Sequence, residues 1–68
     1  MKEIDARGLS CPEPVMLTKA ALDAGESELI VMVDNGAAKD NVSRQAKSHG
    51  KTAEVEHNAD GDFIIHIK

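Results

Sequence analysis

Leu29-Ile30-Val31-Met32-Val33 is the longest apolar run in the chain, and everything else must be arranged around it. Five residues are too few to cross a membrane and too rich in β-branched side chains to favour a helix. An apolar run without clear alternation belongs in the middle of a sheet, with neighbours covering it. Glu28–Val33 therefore reads as a central strand. The remaining residues of a 68-residue chain have to supply its partners and its cover.

A domain of this size buries only roughly 60% of the surface its unfolded chain exposes, so the core is thin. Small folds often compensate with disulfides or a structural metal. A single cysteine excludes an internal disulfide, and His49, His57 and His66 beside it show no zinc-type spacing. Neither a metal nor an organic cofactor is expected. The N-terminal Met-Lys-Glu-Ile-Asp carries no signal-peptide apolar region, so a reducing cytoplasmic setting and no membrane partner are expected. A formal net charge of −4 and a single aromatic residue, Phe63, argue against nucleic acid.

The flanking segments alternate between strand and helix patterns. Lys2–Ala6 is a short strand with Ile4 and Ala6 on one side. Pro12–Ala24 reads as a helix stopped at Gly25, with Pro14, Leu17, Thr18, Ala21 and Leu22 facing inward and Met16, Lys19 and Asp23 toward water. Asp34-Asn35-Gly36 can cap a second helix, Ala37–His49, stopped by Gly50, with Ala38, Val42 and Ala46 as its apolar stripe. Thr52–His57 and Asp62–Lys68 are strands joined by the turn formers Asn58-Ala59-Asp60-Gly61.

The order βαβαββ predicts right-handed crossovers between two parallel strands, then a hairpin. The expected fold is an α/β (α+β) two-layer sandwich: a four-stranded mixed sheet with both helices on one face. Its open face would expose Ile30, Met32 and Ile64, a patch suited to a second domain or a homodimer. Loops at the carboxyl ends of the first two strands should cluster Arg7, Cys11, Asp34, Asn35, Gly36 and Lys39.

Cys11 stands in Ser10-Cys11-Pro12-Glu13-Pro14. A proline after it fits the first helical position, which puts Cys11 at the N-cap, facing the positive end of the helix dipole and the N–H groups of Glu13 and Val15. Such a setting favours the thiolate, which is the nucleophile. One thiol cannot do intramolecular dithiol chemistry. It can carry a group, attack one, or pack as a small hydrophobe, and two framing prolines weigh against the last.

The run Asp5-Ala6-Arg7-Gly8-Leu9-Ser10-Cys11-Pro12-Glu13-Pro14, followed by an apolar helix, resembles the signature of the TusA/SirA-like sulfur-carrier family, a Cys-Pro-x-Pro motif after an Asp-x-Arg-Gly-like loop. The resemblance covers the whole chain, 1–68, as one carrier domain. It implies a fold like the C-terminal domain of bacterial translation initiation factor three, with strand order 1-2-4-3. It also implies a sulfurtransferase-type carrier: Cys11 accepts a persulfide from a cysteine desulfurase or rhodanese-like donor and passes it to an acceptor relay protein. Within the family the chain looks most like the first module of YedF-type proteins, linked to selenium metabolism and often joined to a DsrE-like domain. Asp34-Asn35-Gly36-Ala37 departs from the family's frequent Asp-Pro-Ala at the second helix.

Around Cys11, Arg7 can stabilise a thiolate or persulfide and Gly8 permits the preceding turn. Pro12 and Pro14 stiffen the first helical turn, and Glu13 opposes the thiolate while suiting the helix dipole. Met16, Asp34, Lys39, Arg44 and Lys47 are the candidate docking residues, the last three as a basic face for an acidic partner. The competing reading from another class is a regulatory interaction module in which Cys11 senses oxidation.

Overall fold

β2 (Leu29–Val33) lies inside the sheet, as its composition demands. The computed structural model describes residues 2–10 and 12–68. Around β2 are β1 (Lys2–Asp5), α1 (Glu13–Asp23), α2 (Gly36–Ser48), β3 (Ala53–His57) and β4 (Phe63–Ile67). The sheet order is β1-β2-β4-β3, with β1 parallel to β2 and the other two pairs antiparallel. Fold class, strand order and the one-sided helix layer are as expected.

The core is the sandwich interface. Leu29, Val31 and Val33 of β2 and Ile65 and Ile67 of β4 are buried against Ala21 and Leu22 of α1 and Ala38, Val42 and Ala46 of α2. The helix residues facing the sheet are mostly small, with Leu22 the largest. Thr18 is fully buried, and its hydroxyl donates to the Pro14 carbonyl at 2.9 Å, which satisfies the one polar group on that face.

Both helices end in the same six-to-one, five-to-two arrangement. In α1 the N–H groups of Glu26 and Gly25 donate to the carbonyls of Ala21 and Leu22; in α2 those of Lys51 and Gly50 donate to Ala46 and Lys47. The arrangement needs a left-handed residue, supplied by Gly25 (φ 93°) and Gly50 (φ 75°).

Three expectations need correction. Leu17, placed on the inward face of α1, is 42% exposed, because it lines an open groove between α1 and the edge strand β1, with Lys2 and Ile4 across from it. Pro12 is the N-cap of α1 rather than its first residue: at φ −101° and ψ 20° it is not helical, and its carbonyl accepts the first bond, from the Met16 N–H. Lys39 does not extend alongside Arg44 and Lys47. Its Nζ lies 5.2 Å over the Phe63 ring and 3.2 Å from Asp40, turned back toward the sheet.

Candidate functional site

The loop from β1 to α1 is held at both ends by its neighbours. The Ala6 N–H continues the parallel ladder to the Met32 carbonyl at 2.8 Å. Gly8, at φ 78°, turns its N–H onto Asp34 Oδ2 at 2.7 Å, tying the loop to the carboxyl end of β2. Farther along, the Glu13 N–H donates to the Ser10 carbonyl at 2.9 Å. That donor, expected to serve the cysteine sulfur, is therefore spent on the loop. Cys11 itself lies outside the described residues, and the N-cap position expected of it is taken by Pro12; Ser10 and Pro12 on either side are exposed.

Arg7 is the hub of a network at the carboxyl end of the sheet. Its Nε and Nη2 grip both oxygens of Asp5 at 2.9 Å each, and Nη1 reaches Asp62 Oδ2 at 3.2 Å. The fork geometry suits a guanidinium facing a carboxylate. The Arg7 side chain, then its backbone N–H, pulls the Asp5 carboxyl down to about 2. The same bonds, to Asp5 first and Asp62 second, raise the Arg7 guanidinium above its already high value. Arg7 thus faces two carboxylates.

The second helix begins at the same edge. The Asn35 side chain accepts the Ala38 N–H at 2.8 Å as the N-cap and donates to Asp34 Oδ1 at 3.1 Å. Asp34 consequently bridges the loop at Gly8 and the start of α2. The turn Asn58–Gly61 sits at this end as well, its Asn58 Oδ1 accepting from the N–H groups of Asp60 and Asp62. Arg7 reaches past β2 to the far side of this turn, at Asp62.

Two recesses open between the helices beside Ser10 and Pro12. A small one, about 70 Å³, is lined by Leu9, Ser10, Pro14, Val15, Asn35 and Asn41 among others. The larger, about 410 Å³, is an open groove lined by Pro12, Val15, Asn41, Arg44, Gln45 and Ser48. They share Val15 and Asn41, so a continuous furrow leads from the loop to Arg44. Arg44 and Lys47 are exposed, as is Glu13, and Met16 stands 61% exposed on α1.

The structure therefore brings Arg7, Gly8 and Asp34 together and puts Pro12, Pro14 and Arg44 along the furrow. It leaves Met16 and Lys47 on solvent-facing helix surfaces and Lys39 over Phe63. Asp5, Asp62, Asn41 and Gln45 were not singled out as site residues. For Asp62 the only available signal was a carboxylate directly after four turn formers, at the edge already holding Arg7.

The sequence profile of the family described as sulfurtransferase TusA matches residues 2–68. The chain belongs to the TusA family. It is 39% identical over 71 residues to a candidate sulfur carrier protein of Methanocaldococcus jannaschii, covering all of this chain and 93% of that one. A candidate sulfur carrier protein of Bacillus subtilis, YrkI, is 38% identical over 66 residues, 93% of this chain and 85% of its own. The crystal structure of a SirA-like protein from Desulfitobacterium hafniense superposes with a TM-score of 0.85 at 33% identity, over 98% of this chain and 95% of that one. This TusA-family chain has, among its described residues, no helix long and apolar enough to cross a membrane.

Proposed function

We infer that residues 1–68 act as one sulfur-carrier domain with Cys11 as the carrying group. The Cys11 thiolate attacks the outer sulfur of a donor persulfide, the donor sulfur–sulfur bond breaks, and the donor leaves as a thiolate. Cys11 is then the persulfide Cys11–S–SH. An acceptor thiolate repeats the attack, taking the outer sulfur and returning Cys11 as a thiolate. Sulfur changes hands with no external oxidant or reductant. Selenium would travel by the same exchange.

The observation that carries this reading is the match of the TusA family across 2–68 to a chain whose single thiol stands in sequence between Ser10 and Pro12, both exposed. Pro12 and Pro14 stiffen the approach to α1, and Gly8 with Asp34 anchors the loop before the thiol. Glu13 flanks it. Donor chemistry of the cysteine desulfurase or rhodanese class fits, since both present a persulfide on a protein surface. Met16 and the furrow residue Arg44, with Lys47 beside it, are the docking candidates; Lys39 is a weaker one because Phe63 and Asp40 already hold its ammonium.

Intact mass spectrometry after incubation with a cysteine desulfurase and cysteine tests the reading. The expected product is heavier by one sulfur atom, reverts with dithiothreitol and is absent in Cys11→Ser. A wild-type chain that never gains sulfur, or a Cys11→Ser chain that does, rejects it.

A further inference from the structure

The face of the sheet away from the helices carries a pattern that the proposed sulfur transfer leaves unexplained. Burial alternates along β2 and β4, so Ile30, Met32, Ile64 and His66 point to the helix-free side, each partly accessible. Strand register sets them in two rows. Glu3, Ile30, His66 and Glu54 lie side by side across the sheet, and Asp5, Met32, Ile64 and Glu56 form the next row. The centre is therefore apolar with one imidazole, and each edge strand contributes two carboxylates. Among the described residues no element packs on this face.

The charges on it are only partly matched. Asp5 is gripped by Arg7, and Glu56 Oε1 lies 2.8 Å from His66 Nε2. Glu3 and Glu54, at opposite ends of one row, have no ion-pair partner among the described residues. Three strand spacings separate the two acidic columns, about 14 Å at ~4.8 Å per strand. An α-helix with its side chains is about 10–12 Å across. A helix laid over β2 and β4 would cover the apolar strip and bring its flanks to both columns.

We propose that this face docks an amphipathic, basic helical segment of a partner protein, with apolar residues on Ile30, Met32 and Ile64 and lysines or arginines meeting Glu3 and Glu54. Charge complementarity selects this occupant. A second copy laid face to face would set acidic columns against acidic columns, and the chain's net charge of −4 adds to that repulsion.

The probe is a synthetic helical peptide with leucines along one face and lysines on both flanks, titrated into isotope-labelled protein and followed by amide chemical shifts. A peptide with glutamates replacing the lysines is the control. The expected shifts concentrate on β2, β4 and the edge residues Glu3 and Glu54, and the acidic peptide does not bind. Glu3→Lys/Glu54→Lys should weaken binding about tenfold or more, while the charge-matched Asp40→Lys/Asp60→Lys should hold affinity close to wild type. Wild-type affinity should fall steeply with salt, a readout that stands if the variant folds poorly. Shifts confined to the furrow between the helices, equal binding of both peptides, or salt-insensitive affinity would overturn the proposal. So would concentration-dependent self-association through Ile30, Met32 and Ile64 without peptide, which would give the face to a second copy. Persulfide loading of Cys11 is measured separately, so either reading can fail alone.

Discussion

At the scale of single residues, Arg7 is the side chain whose surroundings matter most. An arginine four residues before Cys11 looks in sequence like a free cation, but its fork is filled by Asp5 and Asp62. Asp5 has a folded-state value near 2, below its ordinary one. Its contribution to stability is thus present above the unfolded value of about 3.9 and is lost as pH falls toward 2. Carboxyl titration by NMR should find Asp5 near 2 in the wild type and restored to the ordinary range in Arg7→Gln. An unmoved midpoint in Arg7→Gln would assign the shift to something other than the guanidinium. Cys11 stands in sequence two residues before α1, a position expected to favour the thiolate while Glu13 opposes it. The thiol should titrate below about 8.5, and lower still in Glu13→Gln. Alkylation rate against pH measures both, and a rise in the variant would contradict the electrostatic account.

At the scale of elements, the helix ends explain what the sequence disclosed and what it hid. Glycine stops at 25 and 50 and the apolar stripe of Ala38, Val42 and Ala46 are local signals, and they placed both helices to within a residue or two. Asn35 belongs to the same class: its side chain holds the Ala38 N–H, so Asn35→Ala should cost about 1 kcal/mol. Urea unfolding would show this as a lower midpoint at unchanged slope. The clasp between the two helix ends has no local signal, because its partners are far apart in the chain. His49 Nε2 lies 2.9 Å from Asp23 Oδ1, and its Nδ1 faces the Gln45 carbonyl. Asp23, then that carbonyl, raises the His49 imidazole above its ordinary 6.5. The stabilisation is complete below the unfolded value and fades as pH climbs through the raised folded one. Thermal unfolding of the wild type should therefore weaken with rising pH from about 6.5, and Asp23→Asn should flatten that dependence. The same slope in both proteins would show the clasp to be idle. The start of α1 was harder to read, since two prolines one residue apart make either a plausible first turn.

At the scale of the whole molecule, topology was legible because short βα connections leave few alternatives and β2 could only be central. Its cover was less so: Leu17 fits the inward pattern of α1 yet lines an open groove at the β1 edge of the sheet. The thin core makes every buried aliphatic expensive to lose. Total stability at this length should be about 3–10 kcal/mol. Ile65, fully buried in β4, should cost about 3 kcal/mol as Ile65→Ala, the whole of the stability at the low end of that range, against about 1 kcal/mol as Ile65→Val. Circular dichroism on denaturant titration would separate the two, and a mild Ile65→Ala would mean the core collapses into the gap.

The sheet order has a bearing on timing during synthesis. β4, the second strand of the sheet's centre, is the last of the six elements to leave the ribosome, while the carrier loop is among the first. Asp62, which Arg7 needs, emerges 55 residues after it. A nascent chain thus presents its thiol before the rest of the fold can close. Until then the thiol rides on an unfinished fold, open to oxidants and to any protein able to react with it. The network around Arg7 is therefore complete only when the final strand is in place.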